Sequence, residues 1–228
     1  MPPLSPNYGE RRGGLWPTLI VLHYTAMESC DAALARLCDP LAEVSAHYLI
    51  SETGEVLPLV AEDMRAWHAG AGQWQGFGDI NSRSIGIELA NTGAQPFANG
   101  QMRGLECLLG DVMVRWKMGP AAVIAHSDMA PGRKSDPGAR FDWCRLALGG
   151  LSVWPQNTKP GRPKLCAPDD FIADARRFGY PDVSADIVLA AFRLRFRPWA
   201  KGPLDTVDAE LIADLADRFG VDETAPLA

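Results

Sequence analysis

The sequence is poor in the residues that would build a disulfide-stapled or thiolate-metal scaffold. Its 228 residues include five cysteines (Cys30, Cys38, Cys107, Cys144 and Cys166), an odd number with no Cys-x-x-Cys pair. That spacing suits neither a disulfide framework nor a cysteine zinc site. Basic residues are also outnumbered, 22 against 28 acidic, for a formal net charge of −6. Nucleic-acid binding depends on clustered Lys and Arg, so no nucleic-acid partner is expected. No apolar run approaches the roughly 20 residues of a spanning helix, which leaves no membrane span. The first residues, Met-Pro-Pro-Leu-Ser-Pro-Asn-Tyr, lack the basic start and apolar stretch of a secretory signal. The expected location is therefore the cytoplasm, with the periplasm or envelope as the alternative if an export segment is missing from this sequence. A reducing compartment agrees with Cys107, which falls in the apolar stripe of an expected helix and reads as a buried thiol.

What is present is an ordinary globular composition, 47% hydrophobic and 22% charged. The length fits one generous domain or a main domain with a small companion. Charge separates the two parts. Residues 1–166 hold 15 basic and 16 acidic residues, whereas 167–228 hold 7 and 12. A Pro-, Gly- and Trp-containing stretch, 149–168, precedes this shift and lacks periodicity. The expected division is a first domain over 1–150, a linker over 151–167, and a helical domain over 168–228.

The first part alternates strand-like and helix-like segments. Short apolar runs at 18–22, 84–89 and 122–125 read as buried strands. Segments 47–51 and 55–60 flank Glu52-Thr53-Gly54 as a hairpin. A short helix is expected over 31–37. Met102, Leu105, Leu108, Leu109, Val112, Met113 and Trp116 repeat with helical period over 101–117. The expectation is an α/β fold with a mixed central β-sheet flanked by helices. The tail predicts three helices: one from Pro168 to the Gly179-Tyr180-Pro181 stop, one from Ser184 toward Arg195, and one capped by Asp205 or Thr206 and ended by Gly220. Such a small bundle is not expected to carry catalysis by itself.

Four histidines are few enough to weigh singly. His23 follows Leu19-Ile20-Val21-Leu22 and His126 follows Val123-Ile124-Ala125, so both stand at strand ends, where open α/β sheets place their sites. The loop after His126 is long, rich in Pro and Gly, and densely charged. Two histidines and a carboxylate form a standard zinc set with a fourth position open, and Asp136 could supply the carboxylate. Asp136 could equally be a turn-capping aspartate before Pro137-Gly138, and each histidine a buried, hydrogen-bonded core residue. There is no HExxH helix.

Five ordered motifs carry a resemblance. They are Ile20-Val21-Leu22-His23-Tyr24-Thr25; Val44-Ser45-Ala46-His47-Tyr48-Leu49-Ile50; Arg65-Ala66-Trp67-His68-Ala69-Gly70; Asn81-Ser82-Arg83-Ser84-Ile85-Gly86-Ile87-Glu88-Leu89; and the run from His126 to Gly138. Over roughly residues 15–145 the chain resembles the type 2 zinc-dependent N-acetylmuramoyl-L-alanine amidases. That family includes bacterial cell-wall recycling amidases, phage lytic amidases and the peptidoglycan recognition proteins. The helical tail resembles a small peptidoglycan-binding module, on helix pattern and position.

The resemblance implies peptidoglycan or a muropeptide as substrate, zinc as cofactor and no obligate protein partner. It makes His23, His126 and Asp136 the zinc ligands, Glu88 the acid–base residue and Lys134 the cation near the substrate carbonyl. Phage-type members have tyrosine where this chain has Ala46 and cysteine where it has Asp136, which places the chain with the bacterial branch. Zinc lowers the pKa of a coordinated water from about 15.7 toward 7. Glu88, between Ile87 and Leu89 on a strand, should be partly desolvated with a raised pKa, fit to take a proton from water and give it to the leaving amine. An ordinary surface glutamate and a solvated loop lysine are the plainer readings of Glu88 and Lys134. Arg65, Trp67 and His68, with the aromatic run through Trp74 and Phe77, are expected to line the substrate cleft, with His47 behind or beside them. The rival function is a peptidoglycan-binding receptor without catalysis. Such receptors typically lack a third ligand, whereas Asp136 is present here.

Overall fold

Two continuous apolar segments lie at the heart of the sheet, Leu19–Tyr24 and Ser84–Leu89. The computed structural model describes residues 4–156 and 167–221. In chain order the strands are β1 (Tyr8–Glu10), β2 (Leu19–Tyr24), β3 (Tyr48–Ile50), β4 (Val56–Pro58), β5 (Met64–Ala66), β6 (Ser84–Leu89) and β7 (Val123–Ala125). The α-helices are α1 (Cys30–Cys38), α2 (Ile80–Arg83), α3 (Asn99–Trp116), α4 (His126–Met129), α5 (Trp143–Leu148), α6 (Pro168–Phe178), α7 (Ala185–Phe196) and α8 (Thr206–Phe219). The main sheet runs β4-β3-β6-β2-β7; β4 is antiparallel to β3 and every other pair is parallel. β1 and β5 form a separate antiparallel ribbon. This is the mixed, helix-flanked sheet the alternating segments predict.

Strand alternation sorts the core into two faces. Ile20 and Leu22 of β2, Ile85, Ile87 and Leu89 of β6, and Val123 and Ala125 of β7 pack on one face with the apolar stripe of α3 and with Trp143 and Leu146 of α5. On the opposite face, Leu19, Val21 and Ile124 share one apolar cluster with Phe171, Phe178, Phe192, Phe196 and Ile212 of the C-terminal helices. Leu49 on that same face packs with Ala33 and Leu37 of α1. Two helical covers therefore sit on the second face, α1 toward β3 and the C-terminal helices toward β7. The strip between them carries Ser84, Gly86 and Glu88 of β6 and His23 of β2. In the parallel ladder His23 stands opposite Glu88.

Local sequence explains the element ends. The Ser29 side chain accepts from the Ala32 N–H at the start of α1. Asp205 caps α8 in a reciprocal box with Asp208. Gly179 closes α6 at φ 145°, where a Cβ would stand 2.6 Å from the Trp74 ring.

Three expectations change. Cys107 is exposed rather than buried, because it lies two residues beyond Leu105 and so roughly 200° around α3, on its outer face. Trp74, expected in the aromatic run lining the cleft, is 2% exposed and packs edge-on against Phe178 and Tyr180. Of the expected linker, Ser152 and Val153 are buried in the core; residues 157–166, including Cys166, lie outside the described residues.

Gly86 is a close-approach position. A Cβ there would meet the His68 ring at 2.4 Å. Gly86→Ala should therefore cost about 1–3 kcal/mol of stability by overpacking. Denaturant unfolding checks this, and an unchanged midpoint would mean that the ring has room to move.

Candidate metal centre

Parallel pairing makes β2 and β7 end at the same edge of the sheet. His23 is the fifth residue of β2, and His126 opens α4 directly after β7. The loop beyond α4 then returns Asp136 to the same point. Nδ1 of His23, Nδ1 of His126 and Oδ2 of Asp136 lie 2.9 Å from one another in all three pairings. All three side chains are buried.

Backbone carbonyls fix which ring nitrogens carry protons. Nε2 of His126 lies 2.8 Å from the Ala69 carbonyl oxygen. A carbonyl only accepts, so Nε2 is the N–H and Nδ1 presents its lone pair. His23 is settled through a longer chain. The Ser84 hydroxyl donates to the Ile80 carbonyl at 2.6 Å and so accepts from Nε2 of His68 at 3.1 Å. His68 Nδ1 is then an acceptor, and it receives the N–H of His23 Nε2 at 3.0 Å. His23 Nδ1 is left with its lone pair facing the centre. The donor set is thus two neutral imidazoles, each held through its far side, and a carboxylate, which fits zinc.

Electrostatics agree with that arrangement. Burial, then the neighbouring His126, lowers the His23 pKa to about 4, so the ring stays neutral. Burial likewise drives His68 well below its ordinary value, with His23 adding to the effect. For Asp136, burial pushes the carboxyl up, but the nitrogens of His126 and His23 at its oxygen more than offset this and hold it below the usual carboxylate range.

Glu88 stands across the ladder from His23 on a central strand, not at an edge. Burial, reinforced by the Asp136 charge and opposed by the Lys134 ammonium, pushes its pKa up to about 8. Its Oε2 is buried without a hydrogen-bond partner among the described residues. Lys134 is exposed, on the loop between His126 and Asp136. A cleft of about 710 Å³ collects His23, Trp67, His68, Glu88, Lys134 and Asp136 on its walls.

Two expected substrate contacts lie elsewhere. The Arg65 guanidinium is engaged by Asp79 and by the Ser82 hydroxyl, away from the cleft wall. His47 is fully buried behind His68; its Nδ1 accepts the Gly86 N–H, and burial lowers its pKa to about 3. Trp67 and His68 do line the cleft, yet both ring nitrogens of His68 are already used. Sequence reasoning missed Ser84, whose role shows only through contact with His68, and Arg133, which donates to the carbonyls of Ala69 and Ala71 and closes the wall over the site.

Comparison with known proteins identifies a family and similar relatives. The family described as N-acetylmuramoyl-L-alanine amidase matches residues 13–139. The chain is 34% identical to the N-acetylmuramoyl-L-alanine amidase AmiD of Escherichia coli K12, over 90% of this chain and 84% of that protein. It is 35% identical to the 1,6-anhydro-N-acetylmuramyl-L-alanine amidase AmpD of the same organism, over 63% of this chain and 88% of the relative. Its fold superposes with a TM-score of 0.80 and 32% identity on AmiD from E. coli in complex with the substrate anhydro-N-acetylmuramic acid-L-Ala-D-gamma-Glu-L-Lys, covering 95% of this chain and 99% of that one.

The raised Glu88 carboxyl has a measurable consequence in metal-free protein. Between its ordinary value of 4.5 and about 8, the folded state holds a proton that the unfolded chain has lost. The Glu88 contribution to stability should therefore fall as pH rises through that window, opposite in sign to that of the buried neutral histidines, which grows as pH rises toward 6.5. Glu88→Gln should match the wild type at the acid end and exceed it increasingly toward the alkaline end. Chemical denaturation across the window tests this, and parallel curves for the two proteins would count against a desolvated Glu88.

Proposed function

The chain belongs to the N-acetylmuramoyl-L-alanine amidase family, and on that footing we propose that it hydrolyses the amide between N-acetylmuramic or 1,6-anhydro-N-acetylmuramic acid and L-alanine, using zinc. No described helix is long and apolar enough to cross a membrane. One observation carries the reading: two imidazole lone pairs and a carboxylate converge in a cleft whose wall also holds a desolvated glutamate with an Oε2 that has no partner among the described residues.

The proposed division of labour follows from where each group stands. His23, His126 and Asp136 would hold the ion, which supplies Lewis acidity toward a water and the scissile carbonyl. Glu88 takes the proton of the attacking water. Its raised pKa suits it to pass that proton to the departing L-alanine amine as the C–N bond breaks. The Lys134 ammonium, on the same cleft wall as Glu88 and His23, faces the carbonyl oxygen as that oxygen gains negative charge. Trp67 offers the sugar or lactyl group an apolar wall.

Metal binding and proton transfer separate by mutation. Glu88→Ala should keep its zinc and lose on the order of 10²–10⁴-fold in turnover, the usual worth of a general base. Asp136→Ala should lose the metal itself, read by elemental analysis of the purified protein. A Glu88→Ala enzyme releasing L-alanyl peptide at the wild-type rate would remove Glu88 from the mechanism. A wild-type protein that binds muropeptide yet releases no peptide with zinc supplied would make it a receptor instead.

A further inference from the structure

The histidine that opens α4 rests on a carboxylate neutralised from the far end of the chain. Asp128 is fully buried two residues beyond His126. Its Oδ2 accepts the Ala125 N–H at 2.9 Å and Arg195 Nη1 at 2.5 Å, and its Oδ1 accepts the Tyr180 hydroxyl at 2.9 Å. Both side-chain donors come from the C-terminal helical segment. Arg195, on α7, is 2% exposed. Its Nη2 donates to the Val123 carbonyl at 3.0 Å and to the Ser152 hydroxyl at 3.2 Å. Its guanidinium also lies over the Trp143 ring, 4.3 Å from the centroid. Every one of these polar partners, and that ring, precedes residue 153.

The same helices meet loops of the sheet-bearing part at two further places. Gly132, in the loop between Met129 and Lys134, is packed so closely by Ile187 of α7 that a Cβ there would stand 3.0 Å from Ile187 Cγ2. The Gln75 N–H donates to the Gly179 carbonyl at 2.9 Å, beside the seat of Trp74 between Phe178 and Tyr180. A tethered wall-binding module would be expected to meet its neighbour across a modest, more polar interface. Here the helices share one apolar cluster with the sheet and send an arginine through it.

We infer that the C-terminal helices are a strut for the metal centre, with Arg195 the positioning residue that holds the His126 turn in place through Asp128. This rests on the reading of His23, His126 and Asp136 as zinc ligands. Loss of Arg195 leaves a buried carboxylate unpaired directly beside a ligand, and the turn must shift to rehydrate it. Groups that orient a metal ligand from behind commonly contribute 10–100-fold to metal affinity.

The test uses the full chain and a chromophoric chelator competing for zinc. Arg195→Met should weaken zinc binding about tenfold and lower kcat on a soluble muropeptide, with KM changed less than about twofold. Asp128→Asn/Arg195→Met removes the unpaired charge. It should fold even where the single variant does not, yet still bind zinc more weakly than the wild type. Arg193→Met is the control, because Arg193 pairs with Asp208 inside the helical segment. It should lower the melting temperature without moving zinc affinity. Wild-type zinc affinity in the double variant, or an equal loss of affinity in Arg193→Met, would overturn the inference while leaving the ligand assignment intact. A wild-type chain that binds no zinc would take both down.

Discussion

Three electron-rich atoms face one another at 2.9 Å in a buried pocket, and that is the constraint from which much of this protein follows. Two lone pairs and a carboxylate oxygen repel in a medium of low polarity unless positive charge sits among them. Side chains free to rotate would splay apart. They are prevented from doing so because each imidazole is held from behind, His126 by a backbone carbonyl and His23 by a relay through His68 and Ser84 to another carbonyl. The protein thus carries the cost of an unfavourable cluster in rigid backbone rather than in mobile side chains. A cation entering there would find its donors already arranged.

The architecture gives that cluster its address. One face of the sheet packs against α3 and α5, whereas the other is covered by two separate apolar clusters. The gap coincides with the polar strip Ser84-Gly86-Glu88 and the histidine end of β2. Burial around the gap is enough to raise Glu88 and to keep the histidines neutral, while the cleft leaves room for a substrate. A single continuous cover would have closed the site. An uncovered face would have left Glu88 in water with an ordinary pKa.

Much of this was legible from the residues themselves. His23 and His126 announce themselves as polar residues ending apolar runs, and Glu88 as a charge placed between Ile87 and Leu89 on a strand. What escaped reading depends on contacts between distant segments. His68 looks like a ligand-facing residue in an aromatic segment, and only the missing side chain of Gly86 lets its ring reach His23. Arg195 lies at the end of the helix expected from Ser184, and nothing in the run Arg193-Leu194-Arg195-Phe196-Arg197 marks it apart from its neighbouring arginines. Its burial follows from the fully enclosed Asp128, 67 residues earlier. Trp74 lies among glycines and glutamines, a composition that signals a surface loop, and becomes core because α6 ends against it. Cys107 shows the reverse error, since an apolar residue near a helical stripe need not belong to it.

The opposition of His23 and Glu88 in the parallel ladder has one more consequence. Side chains alternate between faces, so slipping β6 by one residue would carry Glu88 to the α3 side and turn Ile85 and Ile87 into the cleft. The pairing that buries the correct apolar residues is therefore the same pairing that assembles the chemistry. A chain with a shifted sheet would be inert rather than partly active. Specific activity in a preparation of this protein is in effect a head count of molecules whose central strands found the right partners.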